Sequence, residues 1–312
     1  MTTLYISHPE CIRHDMGQGH PESPMRLQRI DRAVQQALAG QLQFLQAPEV
    51  SREALLRVHP EAYLQDLDVL SPNHGHAYVD ADVALNRYSL AAARRAAGAA
   101  IEATCQVLSG AVDNAFCAVR PPGHHAERGS AMGFCVYNNV ALAVEQALLD
   151  ETVERVAVLD FDVHHGNGTV EAFQDRPEVL VCSSFQHPFY PDRFVHIDRP
   201  NIVNTPLPAG TRGDQFRLAV ERDWLPALQQ HQPQIIFVSA GFDAHRDDPL
   251  GQLLLDESDF SWVSQLIMDA AQRYAGGRWV ATLEGGYNLD ALSRSVVAQL
   301  RVMSAEAAST IR

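Results

Sequence analysis

Short runs of branched apolar residues alternate along this chain with longer stretches whose apolar positions recur every three or four residues. A parallel sheet covered by helices reads this way, because strands buried on both faces need no polar side. The pattern predicts strands at Leu4 to Ile6, Ala115 to Val119, Val156 to Phe161, Val179 to Cys182, Ile235 to Ala240 and Trp279 to Leu283. Helices are predicted at Pro24 to Ala39, Leu90 to Leu108, Asn138 to Leu149, Gln215 to Gln230, Glu257 to Tyr274 and Asp290 to Ala308. Proline, glycine and asparagine cluster at Ser71 to His76, Arg120 to Gly133, Pro188 to Gly213 and Arg246 to Gly251, which predicts loops there. No linker-like stretch or fixed-period repeat divides the chain, so one α/β domain over residues 1–312 is expected.

Five of the expected strands run directly into polar segments: AVRPPGHHAE, VLDFDVHHGNGT, VCSSFQHPFYP, VSAGFDAHRDDP and ATLEGGYN. In parallel α/β sheets, ligands and reactive groups collect beyond the carboxyl ends of the strands, so these endings are expected to face one site.

Charge narrows the partners. The chain has 24 basic against 38 acidic residues, a formal net charge of -14, which opposes contact with nucleic acid or an anionic membrane surface. All the basic residues are arginine, so no lysine is available for a Schiff base or a phosphate-binding loop. Cys11, Cys105, Cys117, Cys135 and Cys182 are odd in number and widely spaced, which argues against a disulfide scaffold. With no signal-like start and no apolar run of about 18 residues, a reducing cytoplasm is the expected compartment. Self-association into a homo-oligomer is left open.

The chemistry begins at LDFDVHHGNG. In extended backbone Asp160, Asp162 and His164 share one face, so Asp162 and His164 can reach one cation. Buried carboxylates at an apolar strand end are costly unless a metal or hydrogen-bond donors satisfy them, although the run would also serve as a turn before a helix near Thr169. Asp243 in VSAGFDAHRDDPLG completes two aspartates and a histidine, a donor set that suits zinc with an open position. His245 is a rival ligand, and Asp247 and Asp248 read as a solvated turn.

In RPPGHHAE, His124 and His125 follow two prolines and a glycine, a loop from which both rings can line one pocket and exchange protons with water or a leaving amine. In LEGGYN, Tyr287 can donate to a developing oxyanion. No G-x-S-x-G nucleophile is present. These groups suit metal-assisted hydrolysis of an amide or ester without a covalent intermediate.

The ordered set HPESPMRL, RPPGHHA, GFCVYNN, LDFDVHHGNGT, SAGFDAHRDDPLG and LEGGYN resembles the histone deacetylase and acetylpolyamine amidohydrolase superfamily, and most of all bacterial relatives of the class II enzymes. The resemblance runs from His20 to Asn288 and implies the arginase-deacetylase fold, a largely parallel eight-stranded sheet between helices. It implies zinc on Asp162, His164 and Asp243, with Asp160 beside His124 and Asn167 beside His125. Class I members carry aspartate where Asn167 stands, which implies that His125 is the main proton acceptor and donor and His124 an electrostatic element. Class IIa enzymes of weak activity have histidine where Tyr287 stands, so this tyrosine implies a competent enzyme.

The resemblance also places Phe134 and Tyr190 as paired aromatics of a narrow substrate tunnel, with Phe189 replacing Tyr190 if the alignment slips by one. Gly133 would offer a carbonyl to the substrate amide, and Arg26 would lie near an acetate exit, although an exposed helix position fits it equally. Potassium would bind backbone oxygens around Asp160 to His164 together with Ser183. The substrate is then an N-acyl amine, peptide or small molecule. Polyamine-selective relatives can carry glutamate seven residues after the last metal aspartate; Leu250 stands there, which favours acetyl-lysine-like or broader substrates, although other bacterial polyamine enzymes achieve selectivity through insertions and dimer contacts. A ureohydrolase would need D-A-H-x-D spacing for two manganese ions, which LDFDVHHGNG lacks. An acyl-amine binding module without turnover is the remaining alternative.

Overall fold

The computed structural model describes residues 1–305. Its main sheet contains β1 (Thr3–Ser7), β2 (Gln43–Gln46), β5 (Asn114–Cys117), β6 (Val156–Asp160), β7 (Val179–Gln186), β8 (Ile202–Leu207), β9 (Ile235–Ala240) and β10 (Trp279–Leu283). A small antiparallel ladder, β3 (Ala77–Tyr78) with β4 (Ala84–Leu85), stands apart. The eight strands run in the order β2-β1-β5-β10-β9-β6-β7-β8, and every pairing is parallel.

The sequences VAVLD, IIFVSA and WVATL are buried at every position, as strands covered on both faces require. One group of covering helices pairs Ser89–Leu108 with Asn139–Ala147, and the other packs Leu289–Ser304 against Pro24–Ala37 and Glu257–Tyr274. The alanines of Ser89–Leu108, among them Ala93, Ala96, Ala97 and Ala100, are buried and let that helix lie close to its neighbours. Among the described residues no helix is long and apolar enough to cross a membrane.

All the predicted strands and helices are present; Ile235–Ala240, Glu257–Tyr274 and Trp279–Leu283 keep their predicted bounds and the others shift at one or both ends, for instance β7, which continues to Gln186. The last helix closes at Ser304, and residues 306–308 of its predicted span lie outside the described residues. The predicted loop Pro188 to Gly213 is corrected: it contains β8, whose sequence IVNTPL hides a strand behind Asn204, Thr205 and Pro206. As an edge strand, β8 tolerates a proline that an inner strand would not. The other edge, β2, is QFLQ, partly exposed at every position, and its two apolar residues are too few to mark a strand. Short helices at Glu10–Arg13, Arg52–Leu55 and Glu61–Leu70 were also unexpected.

Candidate metal centre

The five polar endings extend from β5, β10, β9, β6 and β7, which are consecutive in the sheet, so they meet along its carboxyl edge. The β6 ladder stops at Asp160, and simple alternation does not govern Phe161 to His165. Hydrogen bonds do: Asp160 Oδ1 accepts from the Asp162 N–H at 3.0 Å, and Asp162 Oδ1 accepts from the His164 N–H at 2.9 Å. From the β9 ending, Asp243 Oδ1 accepts from the Val163 N–H at 2.9 Å, which leaves Oδ2 free to face His164. His164 Nδ1 then lies 3.1 Å from Asp162 Oδ1 and 3.2 Å from Asp243 Oδ2. One donor atom from each residue falls within 4.8 Å of the others. A tetrahedral cation with bonds of about 2.1 Å needs donors roughly 3.4 Å apart, so the set fits. His245 is elsewhere: its Nδ1 accepts from the Asp247 N–H at 3.1 Å and its ring stacks on Phe260.

Electrostatics point the same way. Burial alone would lower the His164 pKa, but Asp162 and Asp243 outweigh it and raise it to about 10. Asp243 is pushed up by burial and by the charge of Asp162. Burial would also raise Asp162, yet the imidazoles of His124, His164 and His125 hold it well below the carboxylate range. Two buried carboxylates aimed at one point are costly without a cation between them. Gly285 keeps that point open: a Cβ there would overlap Asp243 Oδ2 and sit 2.6 Å from Asp162 Oδ2. Its N–H also donates to Asp162 Oδ2 at 2.9 Å.

The tandem histidines lie side by side, ring centroids 4.0 Å apart, in different environments. His124 Nδ1 is 2.9 Å from Asp160 Oδ2 and its Nε2 is 3.8 Å from Asp162. Burial opposes its charge, but Asp162 and Asp160 prevail and raise its pKa to about 10. His125 Nδ1 meets only a neutral partner, Asn167 Oδ1, at 2.7 Å. Burial, His124 and His164 push its pKa well below the usual value. At neutral pH the pair therefore holds one cationic and one neutral ring. Glu284, which no sequence signal singled out, anchors the loop: Oε2 accepts from the Gly123 and His124 N–H groups at 2.7 and 3.1 Å, and Oε1 accepts from Ser239 Oγ at 3.2 Å. Burial lifts Glu284 to about 7 against the pull of His124.

Above these groups opens a cavity of about 410 Å³ lined by His125, Gly133, Phe134, His164, Phe189, Tyr190, Leu250 and Tyr287, with Asp82 and Gln252 among the rest. Phe134 meets Tyr287 edge-on at 5.8 Å, and Phe189 stacks over His164 at 5.4 Å. Tyr190 stands farther out and donates from its hydroxyl to Asp82 Oδ2 at 3.0 Å. Both aromatics of HPFYP thus line the cavity. Asp82 Oδ1 accepts from the Gly133 N–H at 3.0 Å, which ties the two walls together. Gly133 and Phe134 both adopt left-handed backbone, φ 56° and 66°. A Cβ on Gly133 would run into the His125 ring, and a phenylalanine held in this conformation stores about 1–3 kcal/mol. The Gly133 carbonyl accepts from the Cys135 thiol at 3.3 Å.

Arg26 does not line the cavity. It is fully buried behind it, donating to the Gly286 and Glu284 carbonyls at 2.6 and 2.5 Å and pairing with Glu22 at 3.0 Å, and it lies 5.0 Å from the centre of the Tyr287 ring. Tyr287 itself is kept protonated by burial and by Asp243.

Asp248 corrects the reading of a solvated turn: it is 7% exposed, unlike Asp247. Its Oδ2 accepts from the N–H groups of Tyr287 and Asn288 at 2.6 and 3.1 Å, and Oδ1 from Leu250 at 2.9 Å. One carboxylate thereby joins the cavity wall to the Tyr287 loop. Asp248→Asn would turn an NH₂ against one of those donors, so unfolding free energy should fall by about 1–3 kcal/mol, as denaturant titration would show.

A family model described as the histone deacetylase domain matches residues 20–303. A histone deacetylase-like amidohydrolase of Pseudomonas aeruginosa is 42% identical over 86% of this chain and 73% of its own. Polyamine deacetylase HDAC10 of Mus musculus is 35% identical over 97% of this chain, which spans 46% of that protein. The crystal structure of the HDA15 HD domain superposes with a TM-score of 0.92 at 33% identity, covering 98% of this chain and 89% of that one. With the domain model covering nearly all of its length and the sheet order and site built as described, the chain belongs to the histone deacetylase family.

Proposed function

We propose that this chain is a zinc-dependent amidohydrolase that removes acetyl or another short acyl group from an amine on a flexible chain, with acetyl-lysine as the fitting class. The observation that carries the reading is the convergence of Asp162, His164 and Asp243 at a cavity whose wall also presents His125 and Tyr287. Zinc held by those three residues would supply Lewis acidity, polarising the acyl carbonyl and lowering the pKa of the attacking water.

His125 is the neutral ring, so its Nε2 takes the proton of the attacking water and returns one to the departing amine nitrogen. His124, held cationic between Asp160 and Asp162, offsets the negative charge gathered there. Tyr287 donates its hydroxyl hydrogen to the acyl oxygen as that oxygen becomes negative. Phe134, Phe189 and Tyr190 enclose an aliphatic stem, and Leu250 adds an apolar wall. The acetylpolyamine reading draws support from Asp82, a carboxylate at the cavity that would attract a second ammonium group. A structural potassium ion near Asp160 fits Ser183 Oγ, buried and without a hydrogen-bond partner beside Asp160 in the sheet.

Rates on an acetyl-lysine peptide and on an acetylated polyamine, measured with and without a chelator, test the proposal. Chelation should abolish turnover, and one equivalent of zinc should restore it. Full activity after rigorous metal removal, or binding without turnover, would overturn the reading. The ratio of the two rates ranks the substrates.

A further inference from the structure

Asn167 is fully buried, and its amide has one accepting and one donating end, so the end that faces His125 decides which ring nitrogen carries the proton. Oδ1 faces His125 Nδ1 at 2.7 Å. The other end, Nδ2, donates to Glu127 Oε1 at 2.8 Å, to the His125 carbonyl at 3.3 Å and to Met132 Sδ at 3.2 Å. A carboxylate can only accept, so Glu127 can receive Nδ2 and not Oδ1. The Arg193 guanidinium, 3.1 Å from the same Oε1, pairs with it from the segment just beyond Tyr190.

We propose that Glu127 is a positioning residue for His125: by fixing which way the Asn167 amide points, it holds the proton of His125 on Nδ1 and leaves Nε2 as the free lone pair. The inference rests on the reading of His125 as the base. It carries a specific corollary. An aspartate at position 167 has no donating end, accepts from Nδ1 through either oxygen, and would need no orienting partner.

The test compares zinc-loaded wild type, E127L, E127Q, E127L/N167D and H125A on an acetyl-lysine peptide, with zinc content measured for each. E127L should lower kcat about 10- to 100-fold with KM and zinc content unchanged, the scale of a lost orienting partner. E127Q, which keeps an oxygen within reach of Nδ2, should fall less. E127L/N167D should recover most of the loss, which a packing role for Glu127 would not allow. In the wild type, the ¹⁵N shifts of the His125 ring should show the Nδ1–H tautomer, and this measurement needs no variant to fold. Wild-type kcat in E127L, a loss that persists in E127L/N167D, or an Nε2–H tautomer in the wild type would each overturn the proposal. Turnover surviving in H125A would instead bring down the assignment of the base, and the inference with it.

Discussion

Tyr287→Phe should cut turnover at least about a hundredfold while zinc content and KM stay near wild type, because one donor to a developing oxyanion contributes about 2.7–4 kcal/mol. The substitution is clean in this setting. The ring keeps its edge-on contact with Phe134 at 5.8 Å and its place 5.0 Å from the Arg26 guanidinium, so only the hydroxyl leaves. Burial and Asp243 keep that hydroxyl protonated, so the loss should be nearly constant across neutral pH. Metal analysis beside steady-state kinetics checks the outcome. Near-normal turnover with zinc in place would show that the acyl oxygen is stabilised by something else.

Gly285→Ala should have a larger effect, because a single methyl group would occupy the space between the two carboxylates proposed to hold zinc. Its Cβ would overlap Asp243 Oδ2 and approach Asp162 Oδ2 to 2.6 Å, and both side chains are buried and held through their other oxygens by the backbone N–H groups of Val163 and His164. Neither can retreat without breaking those bonds. Zinc should be lost on dialysis, and turnover should drop by about a thousandfold or more, the equivalent of several kcal/mol of Lewis-acid stabilisation. The fold should survive, since β10 ends at Leu283, and circular dichroism can confirm it. A variant that keeps zinc and rate would refute the placement of the cation.

Ile235–Ala240 and Trp279–Leu283 were legible in the sequence to the residue because inner strands of a parallel sheet must be apolar on both faces. β2 and β8 escaped for the same reason reversed: edge strands half open to water need no such run, and QFLQ and IVNTPL look like loop. In the site, Asp162, His164 and Asp243 stood out because carboxylates are costly at the end of a buried strand. Asp82, Asp248 and Glu284 did not, because their partners include the backbone N–H groups of Gly133, Tyr287, Asn288, Gly123 and His124. Backbone donors are present at nearly every position and leave no mark in composition or spacing. Glu127 was hidden in another way, since its meaning depends on the amide of a residue forty positions away.

The place of β10 in the sheet bears on how the molecule is made. It bonds to β5 on one side and β9 on the other, yet among the described residues it comes last of the strands in sequence. Without it the sheet divides into two parts, β2-β1-β5 and β9-β6-β7-β8, each with a bare inner margin. A bare strand margin exposes unpaired N–H and C=O groups and can pair with another chain. Insertion of this final strand zips the halves together and, in the same event, delivers Gly285 and Tyr287.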